Sequence, residues 1–301
     1  MELQNIYKNI ANMRIVENPA HKWLEGAKMP HLFSYRDEAI YCHHTVDLHP
    51  DPEAFSMHAH EGMEIFYFIS GAGSYLVEGN LYPLKPHDIL ILRPAETHKL
   101  NISSEVPYER ISIHFSPGWL QGIDPGGRLL QPFLDRPLGY GNRFPAEMDP
   151  EGKLRRIFSD FTFEHISDVP LNVMGRVLQL LTALSGLYEA EALQPHPEQG
   201  LERQLVAYVN DHLFEDISLQ SVSDGFFRSR SQISRLFHKA TGSSFWEYVT
   251  IKRLMAARAM IQRGESAGKA AAACGFADYS TFFRAYKTQF GHAPREDGRK
   301  E

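Results

Sequence analysis

The sequence predicts a multi-domain α+β protein: an N-terminal β-barrel with a helical segment behind it, then a C-terminal all-α domain of two helix-turn-helix units. Three observations predict it. Residues 57–100 run in short stretches of period two broken by Gly and Pro, the pattern of a sandwich or barrel. The last third of the chain carries the same order of helix cap, apolar positions and terminal glycine twice, which is an internal repeat. Charge divides along the same line. Residues 201–301 hold 15 Lys/Arg against 11 Asp/Glu, whereas the whole chain has a net charge of −6. The basic excess therefore lies on the half with the repeats, where phosphate attraction is needed.

At 301 residues the chain is long enough for two or three domains with sizeable cores. It contains no apolar run of about 18 residues, and the stretch MELQNIYKNIANMR has no signal-peptide core, so a cytoplasmic protein without membrane partners is expected. Two cysteines, Cys42 and Cys274, make no disulfide framework and read as small buried hydrophobes.

In chain order, residues 1–50 signal weakly, with a strand expected over 39–47. The stretch MHAHEGMEIFYFISGAG, followed by SYLVEGNLYPLKPHDILILRPAETHKL, supplies the barrel strands. Residues 119–145 are rich in Gly and Pro and read as loop. Helices are expected over 150–165, with Leu154, Ile157, Phe158, Phe161 and Phe163 near one side, and over 171–190. The second has an apolar stripe too broad for an isolated surface helix. That stripe packs against its own barrel, against a second copy of the chain, or both. Residues 192–199, polar and with two prolines, read as a linker. The expected domains are a barrel over 1–140, a helical dimerisation segment over 141–191, a linker over 192–200 and the helical domain over 201–301.

The repeat can be followed residue by residue. From Ser229 and Asp278 as helix caps, four residues on lie Ile233 and Phe282, six on Arg235 and Arg284, eight on Phe237 and Tyr286, and thirteen on Gly242 and Gly291. Each copy follows a shorter helix capped by Ser218 or Ser266. An apolar helix over 245–262 joins them, with Tyr248, Ile251, Leu254, Met255, Arg258 and Ile261 on its stripe. At ~1.5 Å per residue it spans about 27 Å, slightly short of the ~34 Å between successive major grooves on one DNA face, a difference the helices' own widths can make up.

These motifs, SRSQISRLFHKATGSSFWEYV, then KRLMAARAMI, then CGFADYSTFFRAYKTQFGHAP, resemble the paired helix-turn-helix domain of the AraC/XylS family of bacterial transcription regulators over residues 217–296. The resemblance implies that the first recognition helix presents Arg230, Ser231, Gln232, Ser234, Arg235 and Lys239 to double-stranded DNA, with Ile233, Leu236 and Phe237 inward. The second would present Tyr279, Ser280, Phe283, Arg284 and Lys287. Arg235 and Arg284 are the sharpest candidates, because a guanidinium can bond guanine bidentately; phosphate contact is the alternative. Three departures stand out: Ala267 and Ala270 where Ile or Val is usual, Ser223 where Ala is usual, and Asp297 where an aromatic is usual. The alanine-filled helix leads to the expectation that the second unit is the less securely packed.

In the N-terminal half, His58, His60, Glu64 and Gly71 follow the spacing H-x-H-x3-E-x6-G, with His98 in PAETH on a later strand. This is similar to the cupin fold, specifically the sensor cupin of AraC-type regulators, over about residues 30–120. Two uses of those residues stay open. His58, His60, Glu64 and His98 are the ligand types for a divalent metal. They are equally a scaffold or a polar pocket wall, and the second motif is eroded, with Ala95 in place of a glycine and Lys85–Pro86–His87–Asp88 in place of a Pro-Gly-Asp turn. A small-effector pocket without a metal cofactor is the favoured reading. Its candidate lining is His43, Phe55, His58, His60, Glu64, Phe66, Arg93, His98 and His114, with sugars or sugar acids as the class the resemblance implies.

The function expected is a non-enzymatic, ligand-responsive DNA-binding regulator, acting as a homodimer and engaging RNA polymerase if its output is activation. The rival is a metal-dependent cupin enzyme with an accessory helical domain.

Overall fold

The computed structural model of the protein describes residues 31–161, 169–191 and 200–298. The expectations for residues 1–30, for Phe163 and the end of the 150–165 helix, and for the 192–199 linker lie outside them.

Nine strands among the described residues make two antiparallel sheets. One has the order β1 (His31–Arg36), β2 (Ile40–Asp47), β8 (Tyr108–Phe115), β3 (Met63–Ser70), β6 (Ile89–Leu92) and β9 (Arg143–Phe144); the other has β5 (Asn80–Pro83), β4 (Gly73–Val77) and β7 (His98–Ile102). Period two explains the packing. Phe66 and Phe68 of β3 meet Tyr75, Val77, Leu90, Leu100 and Tyr108 between the sheets, while Ile65 and Tyr67 point outward to a second core shared with helices. Cys42 is fully buried in that outer core and unpaired.

The barrel extends further than expected. Strand β9 pairs with β6 through Ile89 and Phe144, so the boundary at residue 140 is corrected outward. Two buried carboxylates hold the added segment. Asp88 accepts from Arg143 Nε at 2.8 Å and from Ala146 N at 3.2 Å; Glu96 accepts from Arg136 Nη2 at 2.6 Å and Asn142 Nδ2 at 2.9 Å. His87 and Ala95, at the positions where the motif expects glycine, keep left-handed φ of 73° and 60°. Such strain costs roughly 1–3 kcal/mol and persists only where the surroundings impose it.

Behind the barrel lie α1 (Gln131–Leu134), α2 (Lys153–Ser159) and α3 (Val169–Glu191). The ring of Phe158 stacks on Tyr67 at 4.0 Å. Val173, Val177, Leu180, Leu181 and Leu184 of α3 are buried against the outer face of the sheet. The apolar stripe therefore packs on its own barrel, one of the two expected uses.

The C-terminal domain contains α4 (Leu201–Asp211), α5 (Leu219–Gly225), α6 (Arg230–Thr241), α7 (Phe245–Gln262), α8 (Ala267–Ala273), α9 (Tyr279–Phe290) and α10 (Pro294–Asp297). Ser218, Ser229, Ser244, Ser266 and Asp278 each accept a backbone N–H three residues on, satisfying donors the first turn leaves open. Gly242 and Gly291 end α6 and α9 in the left-handed conformation. Helix α7 is buried on nearly every side. The departures have structural uses. Ser223, buried, donates its hydroxyl to the Arg228 carbonyl across the turn of the first unit. Asp297 accepts from the Tyr286 hydroxyl and from Arg258 Nη2 at 3.0 Å, so an ion pair does there what an aromatic ring would do by packing. Ala270 and Ala271 are under 4 % exposed in the common helical core, as is Cys274.

Candidate functional site

Residues 57–60 run extended along the barrel, and His58 exchanges backbone hydrogen bonds of 3.0 and 2.9 Å with His98. His58 and His60 turn toward Glu64, while Met57 and Ala59, facing the other way, join the helical core of the C-terminal domain. On β8, His114 lies opposite Glu64 in register. Glu64 is thus ringed by imidazoles: His60 Nε2 at 2.8 Å, His98 Nε2 at 3.6 Å and His114 Nε2 at 3.9 Å.

The other ring nitrogens are held by backbone carbonyls. Nδ1 of His58 bonds Ser56 at 3.0 Å, that of His60 bonds Gly62 at 2.9 Å, and that of His98 bonds Glu96 at 2.8 Å. A carbonyl only accepts, so Nδ1 donates in all three; in His58 and His98 this leaves Nε2 as an electron-pair donor, whereas His60 Nε2 donates to Glu64. Burial pushes the His114 imidazole down to about 4; burial, then neighbouring histidines, holds His98 well below its ordinary value, and burial also lowers His58. Burial alone would raise the Glu64 carboxyl, but His114, His60 and His98 together hold it well below the usual range. Imidazole nitrogens gathered on one carboxylate are a donor set for a divalent transition metal, which would displace the proton His60 shares with Glu64. His60, Glu64 and His114 bring ligand atoms within 4.8 Å of one another. The residues therefore fit such an ion.

The remaining candidates divide. Phe66 packs on Tyr75, Phe55 on Tyr108, and His43 lies between Tyr41 and His114, so all three sit on the inner side of the barrel. Arg93 does not. Its Nη1 donates to the Leu134 and Arg136 carbonyls at 3.3 and 3.0 Å, because the chain leaves β6 there and turns toward α1. The sequence reading missed Arg110, which shares a strand face with Tyr108 and His114. The same period two that selected His114 would have found it.

On the helical domain, Arg230, Ser231, Gln232, Ser234 and Arg235 of α6 are exposed, as are Tyr279, Ser280, Phe283, Arg284 and Lys287 of α9, with Ile233, Phe237, Phe282 and Tyr286 buried beneath. Leu236, expected inward, is half-buried. Lys239 pairs with Glu202 at 3.0 Å on the surface. Arg253 of α7 ties the two units together. Its guanidinium donates to the carbonyls of Leu213 at 2.8 Å, Glu215 at 2.8 Å and Gly275 at 2.6 Å. Gly275 has φ of 79°, and a Cβ there would lie 2.8 Å from the Arg253 guanidinium carbon.

Barrel and helical domain meet at a buried cluster. Glu78, in the β4–β5 turn, accepts from Thr97 N at 2.6 Å, Asn210 Nδ2 at 3.1 Å, Lys252 Nζ at 2.9 Å and the Tyr248 hydroxyl. Lys252 also donates to the Ala95 carbonyl at 2.9 Å, and Ala95 N donates to the His60 carbonyl at 3.0 Å. At the edge of the contact, Glu61 bonds Arg258 at 2.9 Å and Gln262 at 3.0 Å.

Residues 30–149 match the family described as the AraC-like ligand binding domain, and residues 222–300 match the helix-turn-helix domain family. The transcriptional activator RhaS of Shigella flexneri is 24 % identical over 261 residues, covering 85 % of this chain and 92 % of RhaS. RhaS of Escherichia coli is 24 % identical over 269 residues, covering 84 % and 95 %. Among solved structures, ToxT of Vibrio cholerae is similar at 12 % identity over 86 % of this chain and 97 % of ToxT, with a TM-score of 0.36. The C-terminal domain of AraT, a response regulator from Geobacillus stearothermophilus, covers 34 % of this chain and 87 % of its own at 23 % identity and a TM-score of 0.33.

Proposed function

We propose, from the premise that this chain belongs to the AraC family of transcription regulators, that a small molecule in the barrel controls how the two recognition helices are held. One observation carries the reading. Residues 57–60 present His58 and His60 to the pocket and, on the opposite face, Met57 and Ala59 to the core of the DNA-binding domain. A ligand that moves this segment must disturb both faces, and the loop carrying Ala95 and His98 links the same two places through Lys252. Such coupling is reciprocal: effector and DNA change each other's affinity by the same factor. Titrating each against the other tests it, and equal effector affinity with and without operator DNA would remove allosteric control of DNA binding.

The exposed face of α6 and α9 reads DNA, with Arg235 and Arg284 as the base-contacting arginines and the remaining exposed residues as supporting contacts. A sugar or sugar acid is the effector class we assign, because His, Glu and aromatic side chains together suit a polyhydroxyl compound. The relatives at 24 % identity are named transcriptional activators, so activation through RNA polymerase is the output we assign. The protein works in the cytoplasm; among the described residues no helix is long and apolar enough to cross a membrane. A homodimer through the exposed side of α3, where Leu171 is 64 % exposed, would double the DNA contacts; sedimentation of Leu171→Glu against the parent protein tests it, and unchanged self-association would refute that interface.

His60, Glu64, His98 and His114, with His58 beside them, would hold a divalent metal. When bound, it would supply a Lewis-acidic point for hydroxyl or carboxylate oxygens of the effector. The protein's own residues orient the ring nitrogens and exclude water. Elemental analysis of the purified protein and of the His60→Ala/His98→Ala variant tests the site; a stoichiometric metal lost in the variant is expected.

A further inference from the structure

We infer that the barrel contains a carboxylate subsite centred on Arg110, which makes the effector a small organic acid. The inference deepens the effector reading above and rests on it for its regulatory meaning, though not for binding itself. Arg110 lies on β8, 8 % exposed, with Thr45 opposite it on β2 and Phe68 opposite it on β3. Its guanidinium carbon sits 5.0 Å from the ring centre of Tyr108 and 5.5 Å from that of Phe55. Two aromatic faces fix its plane.

What it lacks is a counter-ion. No carboxylate of the described residues lies within ion-pair distance of it, in contrast to the buried Arg136, which Glu96 meets at 2.6 Å, and Lys252, which Glu78 meets at 2.9 Å. Among the described residues Arg110 Nη1 and the nearby Thr45 Oγ1 find no hydrogen-bond partner, and the Tyr108 hydroxyl faces the guanidinium. Removing a charge from water without pairing it is among the most unfavourable things a fold can do. A water molecule could satisfy the N–H but would not neutralise the charge. A planar carboxylate does both, bidentately, and the hydroxyls of Thr45 and Tyr108 can donate to its outer lone pairs.

The site is continuous with the histidine cluster. Arg110 and His114 alternate onto the same face of β8, and Tyr75, which packs in one core with Tyr108, has its ring 5.8 Å from that of His98. An acid seated on Arg110 can therefore extend its remaining hydroxyls toward the imidazoles. Sugar acids fit this better than neutral sugars.

The experiment compares matched probes on the full-length protein by calorimetric titration: galacturonate against galactose, and gluconate against glucitol. The acids are expected to bind, the neutral partners to bind about 10- to 100-fold more weakly, and Arg110→Gln to lose the difference. Arg110→Gln should unfold no more easily than the parent protein, because it removes an unpaired charge. If it does not fold, Arg110→Lys keeps the charge without the bidentate fork and should weaken the acids while leaving the neutral sugars unchanged. Equal binding of acid and neutral probes, no binding of either acid, undiminished acid binding in both variants, or equal competition by inorganic phosphate would each overturn the subsite. Operator binding is measured in parallel. Arg110-dependent acid binding that leaves operator affinity unchanged would keep the subsite and refute its regulatory role; a neutral sugar that changes operator affinity would keep the regulatory reading and refute the subsite.

Discussion

The two helix-turn-helix units are written in the same local code but are held in place by different forces. In the first, Ser229 caps α6 with a reciprocal bond from Gln232, and the far end of α6 presses on the barrel, where Gly242 approaches Lys99 and Leu76. In the second, Asp278 caps α9 and the anchor lies within the domain: Asp297 joins Tyr286 and Arg258. Among the described residues, the edge pair of Glu61 with Arg258 carries the second unit's anchor to the barrel. On the function proposed above, an effector that shifts the barrel surface would act first on the first unit. The expectation that the second unit is the weaker one, drawn from its alanines, looked only at side-chain size.

That contrast can be broken most strongly at Glu78. Glu78→Ala leaves Lys252 buried without its partner and should cost about 3–5 kcal/mol of the barrel–helix contact. Differential scanning calorimetry should show one transition splitting into two, with protease sensitivity appearing near α4. Arg253→Ala removes three carbonyl partners at once; a loss of about 3 kcal/mol, seen in chemical denaturation, should fall on both units together. Gly275→Ala adds a Cβ against the same guanidinium at a positive φ and should cost roughly 1–3 kcal/mol, with the second unit losing amide-exchange protection first. Arg235→Ala and Arg284→Ala should each weaken operator binding by about 1–3 kcal/mol while shifting stability by no more than about 0.5 kcal/mol. Unequal losses from these two would show which unit dominates sequence reading. The smallest effect is expected from Ser229→Ala, about 1 kcal/mol in denaturation.

The pocket and the DNA-binding domain differ in how readily they can be read from sequence. Helix ends are set by the nearest few residues, because the open N–H groups of a first turn are met by the cap itself. The bounds of α6, α7, α8 and α9 follow from Ser229, Ser244, Ser266, Asp278 and two glycines. The pocket was legible in part. Period two put His58 and His60 on one side, and spacing brought Glu64 and His98 into the group. Arg93 was misplaced because a residue just past a strand end no longer follows the alternation, and its partners lie about 40 positions away in sequence.

The sequence by itself determined the two-part architecture, the repeat, the helix caps, the exposed faces of α6 and α9 and the histidine–carboxylate motif, all of which depend on contacts within a few residues or on one strand's alternation. Only the tertiary structure decided that Asp297 replaces a ring with an ion pair, that Arg253 clamps both units, that Glu78 receives Lys252 from 174 positions away, and that Arg110 is buried with no carboxylate of the described residues to pair with. The physical reason is common to all four. A charge is stabilised by whatever lies within a few ångströms of it, and which groups those are is fixed by how distant segments pack.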